Sequence, residues 1–592
     1  MNYSPFVIPF AAGALILFVI LLARYAYWIV QIPRTDRRKA WTGFFKPAFF
    51  KSVYEVFMES LIHRKIFRIN AMLGWMHMSF AFTWFLLIIM GSMEAKFHRH
   101  KVFNMPWDPI FLRYFEHDKT EFFFAAGFTF IMDLLLLILL SATMLAVFKR
   151  VRSRFFGMER TTRLLWGDQV ALYSLWLIFP MRFIAESFTA GLHDNGGFLT
   201  GTAGYAFASF LPLQHLETPA WWIYSSSLFL FFVMIPFSRY NHIPTEIFLI
   251  YLRNCGIKTC DKFNGYSEFE VYACSRCGIC IDKCQLAEVD KKPVQAVYFL
   301  QDLRRNILQS DKVFHCLLCG RCSHYCPVGI RVDHLRKIRR ADYALDEGFR
   351  YHYLEDKVEV PMVQYEVGYF AGCMTHLTPK VKIATESLLK KAGVRYLFLD
   401  RDATVCCGRP LNLTGNERQA RSLIRENKRI IRESGIKTLV ASCPICLRIF
   451  SEEYRLEIPV LHHSEFFLQL VEAGRLTLQQ SDLRLVYHDP CDLGRGCGIY
   501  EAPRTLLEYC GELVSNGYEK ENGLCCGNSL ADLASSEPER REIRNRLLEK
   551  LMEPNPDQLI TACPQCKKSL VYGTPKPVRD IAEVLNDLVE GH

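Results

Sequence analysis

The first 254 residues of this 592-residue chain contain no cysteine, although the whole chain has 22. A uniform single-domain enzyme would not be built that way. Charge is also scarce: 22% of residues are Asp, Glu, Lys or Arg, against 50% hydrophobic and 14% aromatic. That balance excludes a disordered or collagen-like chain. No G-x-G-x-x-G follows a strand pattern and there is no Walker loop, so no nucleotide or flavin site of the chain's own is visible. No basic n-region precedes the first apolar run, which is long enough to span a bilayer. It reads as a retained anchor and not a signal peptide.

What the first half does have is apolar length. Five runs reach the roughly 20 residues that a bilayer requires, at about 6–30, 69–92, 121–148, 164–190 and 219–237. Residues 31–68 carry nine Lys/Arg and 149–164 carry six, whereas 191–218 carry none. By the positive-inside rule the N-terminus lies outside and the C-terminal half is cytoplasmic, on the inner membrane of a cell. The two basic loops hold fifteen bases and four acids (Asp36, Glu55, Glu59, Glu159), a surplus of eleven that covers the net +10. The positive charge is therefore topological, and nucleic acid is not expected as a partner.

In a reducing compartment, clustered cysteines point to metal. One cluster reads Cys274-x-x-Cys277-x-x-Cys280-x-x-x-Cys284; the next reads Cys316-x-x-Cys319-x-x-Cys322-x-x-x-Cys326-Pro327. This is the ferredoxin spacing, in which three thiolates wrap one 4Fe–4S cube and the fourth reaches the neighbouring cube. It assigns Cys274, Cys277, Cys280 and Cys326 to one cubane cluster and Cys316, Cys319, Cys322 and Cys284 to the other. Paired zinc sites are the alternative. The connecting segment has helical periodicity, so an all-α dicluster ferredoxin domain is expected. Gln285 stands where proline usually follows the fourth cysteine, a departure that touches no ligand.

An internal repeat follows. VGYFAGC ending at Cys373 matches LVYHDPC ending at Cys491, VCCGRPL (Cys406, Cys407) matches LCCGNSL (Cys525, Cys526), and LVASCPIC (Cys443, Cys446) matches LITACPQC (Cys563, Cys566). The offsets of 118, 119 and 120 residues keep the copies in register. Strand-like runs alternate with helical segments, which predicts an α/β unit with its cysteines on loops at strand C-termini. A lone Cys, then Cys-Cys-Gly, then C-x-x-C resembles the CCG-domain family of heterodisulfide reductases and related membrane oxidoreductases. The resemblance implies that Cys373, Cys406, Cys407, Cys443 and Cys446 hold one noncubane 4Fe–4S cluster. Cys491, Cys525, Cys526, Cys563 and Cys566 would hold the second. A zinc ion or an ordinary cube in one copy stays open. Cys255, Cys260, Cys497 and Cys510 are left over, and read as free thiols.

The whole architecture resembles membrane-bound heterodisulfide-reductase-like proteins, including electron-transfer-flavoprotein:menaquinone oxidoreductases. It implies a five-helix transmembrane bundle similar to the cytochrome b subunit of nitrate reductase (1–242), a linker (243–269), the ferredoxin domain (270–350) and two CCG repeats (360–480 and 481–592). Such bundles bind haem b through histidines of the second and fifth spans. Relatives commonly show Trp-Trp-x-His in the last span, where this chain has Trp221-Trp222-Ile223-Tyr224. The remaining candidates are His63, His77 and His242. His77 lies 14 residues beyond His63, about 21 Å along a helix, so His63 and His242 are expected to bracket one haem. Asp133, Arg182 and Glu186 fall inside spans and are candidates for a quinone or proton site, or for a plain ion pair; Arg24 is expected to snorkel.

The expected function is electron transfer between a cytoplasmic redox partner and the quinone pool. By resemblance the partner is electron-transfer flavoprotein. Thiol/disulfide chemistry on the ten CCG cysteines, or an electron-relay role within a larger complex, are the alternatives.

Overall fold

The computed structural model describes residues 4–99, 105–117, 124–158, 160, 162–258, 262–289, 293–344 and 365–590. Cys260 and the expected 350–360 junction lie outside them. The chain divides into two units: Met1–Ile279 with Cys326–Ile330, and Cys280–Tyr325 with Arg331–His592.

The first unit contains five helices long and apolar enough to cross a membrane: Val7–Gln31, Ala71–Arg99, Ala125–Val151, Trp166–His193 and Leu213–Phe237. All five expected spans are present, with shifted ends. The fifth begins six residues earlier than 219, because Pro219 sits inside the helix and does not start it. The second ends at Arg99, past the expected 92. Its start is set by Asn70, whose side chain accepts from the Leu73 N–H at 2.9 Å, as an N-cap does. The bundle interior is aromatic, with Phe6, Phe111, Trp221 and Phe231 buried. Arg24 does not reach outward: its Nη1 donates to the Pro236 carbonyl at 2.7 Å and its guanidinium lies over Phe237.

The second unit carries the repeat as two parallel sheets. The first comprises β1 (Val367–Phe370), β2 (Tyr396–Phe398), β3 (Thr438–Ala441) and β4 (Val460–His462), in the order β2-β1-β3-β4. The second comprises β5 (Arg484–His488), β6 (Glu512–Leu513), β7 (Gln558–Thr561) and β8 (Val578–Asp580), in the order β6-β5-β7-β8. Strands this short, buried on both faces, read as apolar runs because helices cover each side. The repeats share one hydrophobic core in which Leu388, Leu389 and Phe467 pack with Leu506, Ile581 and Leu585. The described part of the ferredoxin region in this unit is helical, including Ala296–Arg304 and Val332–Arg340.

Candidate functional site

The sheet order places a topological switch point between β1 and β3, and again between β5 and β7, where ligands of open α/β sheets collect beyond the strand C-termini. Cys373 follows β1 and Cys443 follows β3; Cys491 follows β5 and Cys563 follows β7. The Cys-Cys pairs lie on loops beyond β2 and β6. Gly372 shows how closely the first site is built. Its φ is 81°, and a Cβ there would stand 2.7 Å from Cys446 Sγ.

The thiols of the two copies interact alike. Cys446 donates to Cys407 across 3.2 Å. Thiol hydrogen bonds from Cys406 and Cys446 bring Cys407 well below the usual thiol range. Those from Cys525 and Cys566 bring Cys526 down to about 5. The two sites are neighbours, since Cys443 lies within electrostatic reach of Cys563. They differ in exposure at two positions: Cys373 is exposed and Cys406 partly buried, whereas their equivalents Cys491 and Cys525 are partly buried and buried.

Two of the ferredoxin-like cysteines lie beside thiols of the other run. Cys326 lies beside Cys277 and Cys274, and burial, to which those thiols add, pushes it up to about 12. Cys284 lies beside Cys316 and Cys319 and is likewise pushed up to about 12, mainly by burial. Cys322 is near Cys316, Cys319 and Cys284 and is raised for the same reason. Backbone N–H groups point at these sulfurs, from Leu318 to Cys316 at 3.4 Å and from Gly408 to Cys406 at 3.4 Å. Buried thiols that resist ionisation yet have amides aimed at them suit metal, whose binding displaces the protons. Among the described residues no three His, Cys, Asp or Glu side chains are gathered to hold one metal ion.

Cys274, Cys277 and Cys326 fall in the first unit, and Cys280, Cys284, Cys316, Cys319 and Cys322 in the second. Arg276, between Cys274 and Cys277, pairs with Asp168 in the first turn of the fourth span, and its carbonyl accepts from Thr162. Cys284 and Cys319 pack in one apolar cluster with Cys491 and Cys525 of the second repeat. Gln285 proves consequential here. Its Nε2 donates to the Cys525 carbonyl at 3.1 Å and its Oε1 accepts the Cys525 N–H at 2.7 Å. Arg495 Nε donates to the Cys319 carbonyl at 2.7 Å. Arg336 and Arg340, both fully buried, lie near Cys316. Sequence reasoning missed these arginines; the run HDPCDLGR after an apolar strand was the available signal for Arg495.

A narrow cleft of about 30 Å³ adjoins the second cysteine set and is lined also by Arg409, Arg448 and Gln565. Arg448 pairs with Glu452 at 2.9 Å and Asp492 at 3.0 Å, and Arg409 with Glu452 at 3.1 Å. Of the leftover thiols, Cys510 is buried in the shared core and Cys255 and Cys497 are partly buried.

In the bundle, the expectation for His63 and His77 is corrected. Their rings lie 5.5 Å apart and 21° from parallel, not a helix-length apart. The helix is broken: His63 adopts φ 58°, and a short helix, Arg64–Ile69, doubles back before Asn70 starts the second span. His77 is also within electrostatic reach of His242. His63 Nδ1 meets the Leu61 carbonyl at 3.1 Å and His242 Nδ1 the Arg239 carbonyl at 2.8 Å. A carbonyl holding Nδ1–H leaves Nε2 as the nitrogen with a lone pair, the tautomer of a metal ligand.

Arg182 bonds Glu186 at 2.9 Å, as i, i+4 spacing anticipates. Tyr224 of the fifth span adjoins this pair. Asp133 accepts from the Leu199 N–H at 2.9 Å, the Thr200 N–H at 3.1 Å and the Thr200 hydroxyl at 2.9 Å, capping the helix Thr200–Ala208, and stands 3.9 Å from Arg113 Nη1. Glu94, counted from sequence as part of a loop, is buried within the longer second span and shares the interior with Arg113, Glu186 and Arg182.

Comparison with known proteins agrees with this layout. Residues 367–451 and 485–571 each match the cysteine-rich CCG domain, and residues 270–330 match a 4Fe–4S dicluster domain. The chain is similar to an EtfAB:quinone oxidoreductase of Syntrophomonas wolfei, 23% identical over 669 residues that cover 90% of each chain. It is also similar to one of the polypeptides of the dihydromethanophenazine:CoB–CoM heterodisulfide reductase of Methanosarcina barkeri, 28% identical over 54% of this chain and 93% of the relative. A probable iron–sulfur-binding oxidoreductase of Bacillus subtilis is 22% identical over 60% of this chain and 66% of its own length.

Proposed function

For a chain that is a CCG-domain iron–sulfur oxidoreductase of the heterodisulfide-reductase-like kind, we propose electron exchange between a cytoplasmic redox protein and membrane quinone. The observation that carries this reading is the apolar cluster joining Cys284 and Cys319 to Cys491 and Cys525. It packs one ferredoxin-like set against the second CCG set through apolar contacts, which suits transfer of electrons and not release of a product.

Iron–sulfur centres on the four cysteine sets would supply one-electron steps. The chain's own residues arrange where those steps begin and end. Cys373, exposed at the C-terminus of β1, puts the first repeat within reach of a soluble partner, and the relative's name favours electron-transfer flavoprotein. Asp168 and Thr162 hold the Cys274–Cys277 loop at the end of the fourth span. Five apolar helices support a membrane protein, and the basic loops favour a cytoplasmic cysteine half. His63, His77 and His242 support one haem b there, and the buried Arg182–Glu186 pair with Tyr224 and Glu94 supports a quinone or proton site.

The cleft beside the second cysteine set favours a second reading, reduction of a thiol disulfide, with Arg409 and Arg448 as its polar walls. Assays separate the two. Reduction of a quinone analogue by reduced electron-transfer flavoprotein supports the first; thiol formation from a disulfide with a viologen dye supports the second. Metal analysis tests both: anaerobic purification is expected to give about sixteen irons per chain. Half that iron together with zinc would overturn the noncubane assignment.

A further inference from the structure

Two side chains that are ligands in neither set sit where the second ferredoxin-like set meets the second CCG repeat. Gln285 is covalently next to Cys284 and grips both backbone groups of Cys525, so Cys284 and Cys525 are connected by one residue and two hydrogen bonds. Leu286, Leu317 and Ile543 close the same spot with apolar surface. Arg495 enters from the other side. It donates to the carbonyls of Cys319 at 2.7 Å, Gly523 at 2.7 Å and Glu521 at 3.1 Å, and Cys319, Cys491 and Cys525 surround it.

Arg495 pairs with no carboxylate within 4 Å among the described residues, and its Nη2 finds no hydrogen-bond partner. A guanidinium cannot shed its proton in a protein. Its charge is therefore left for the sulfurs around it, and in a low-dielectric setting such a charge favours whichever state of its neighbours is more negative.

We propose that Gln285 and Arg495 form the electron-transfer junction between the Cys284–Cys316–Cys319–Cys322 set and the second CCG set. Gln285 is the bonded bridge, and Arg495 is the unneutralised charge that raises the reduction potential on both sides of it. This rests on reading both sets as cluster ligands. One electron leaves one set and enters the other, and no bond or proton moves. Gln285 thereby explains a position where the ferredoxin pattern has proline, since proline has no amide side chain to span the gap. Both are positioning residues, because neither touches the redox centre itself.

The test uses the full-length protein purified anaerobically in detergent, with potentiometric titration followed by electron paramagnetic resonance. Arg495→Gln is expected to lower the reduced-to-oxidised ratio of two centres about tenfold at fixed potential, about 59 mV for one electron. The centre of Cys274, Cys277, Cys280 and Cys326 keeps its midpoint. Arg495→Lys retains the charge and restores the wild-type titration. Gln285→Leu leaves the midpoints in place and slows transfer between the two sets in rapid-freeze experiments. Wild-type titration of Arg495→Gln, an equal shift in Arg495→Lys, or unchanged transfer in Gln285→Leu would overturn the junction. Loss of iron from Arg495→Lys as well as Arg495→Gln would do the same, by making Arg495 a scaffold residue. A wild-type protein without cluster signals would instead overturn the cluster reading, and the junction with it.

Discussion

Asp580 gives the sharpest test of how the two repeats are held together. It is fully buried at the end of β8, where its Oδ1 accepts the Ala582 N–H at 3.0 Å and its own N–H bonds Glu583 at 2.8 Å, a capping box. Across the repeat interface the same oxygen stands 3.5 Å from His463 Nε2. Burial, with the Glu583 charge adding to it, raises the Asp580 carboxyl from 3.8 to about 8. Burial and His462 hold His463 well below its ordinary value, so the pair is a neutral acid beside a neutral imidazole. The raised carboxyl keeps its proton in the folded state after the unfolded chain has released it. Its contribution is therefore fully present below pH 3.8 and is lost as the pH rises to about 8. At about 1.36 kcal/mol per pH unit, the loss reaches about 4 kcal/mol at pH 7 and about 1–2 kcal/mol at pH 5. Asp580→Asn keeps the capping oxygen, as good an N-cap as aspartate, and does not titrate. In thermal unfolding of the full-length protein in detergent, the variant's advantage is expected to widen by about 3 kcal/mol between pH 5 and pH 7, roughly 6–12 °C. A gap independent of pH, or a variant that melts below wild type at pH 7, would refute the neutral pair and indicate a charged Asp580–His463 bridge.

Three further outcomes are expected. Arg504 holds the buried Asp489 through bonds of 2.8 and 2.5 Å two residues before Cys491, so Arg504→Ala strands a carboxylate. The cost should be about 3–5 kcal/mol in thermal unfolding, with Arg504→Lys intermediate. His63→Ala and His77→Ala should each abolish haem in a pyridine haemochromogen assay while the iron–sulfur content stays; haem retained in His77→Ala would remove that residue from the site. Gly372→Ala places a methyl 2.7 Å from Cys446 Sγ at a φ of 81°, and should empty the first CCG site while the second keeps its iron.

Much of this molecule is legible from sequence because its constraints are periodic or stoichiometric. The five spans follow from apolar length and the duplicated sheet from offsets of 118–120 residues. The crossed neighbours Cys326 and Cys284 follow from ferredoxin spacing. What failed was geometry set by a single residue. His63 in the left-handed region turns the chain back, so a rise per residue counted along one helix has no meaning between His63 and His77. Glu94 was hidden because apolarity fades before the helix ends at Arg99. Asp133 has the residue type of a functional group and the hydrogen bonds of an N-cap, and only the hydrogen bonds distinguish the two.

The same distinction applies to the duplication itself, which copied the thiols but not their surroundings. Four residues after the lone cysteine, the second repeat has Arg495 and the first has Leu377, both read at the 118-residue offset. Arg495 turns inward onto the Cys319 carbonyl, while Leu377 is 59% exposed. Cys373 is exposed as well, whereas Cys491 packs with Cys284, Cys319 and Cys525. Two identical sites would compete for one partner and leave electrons no preferred order. On the proposed function, two sites with the same cysteine pattern, one with an exposed lone cysteine and the other packed on the ferredoxin-like cysteines, would stand in series. A soluble donor would then reach the outer site without approaching the inner one. On that reading the order of transfer would lie in the residues between the cysteines, where the copies have diverged.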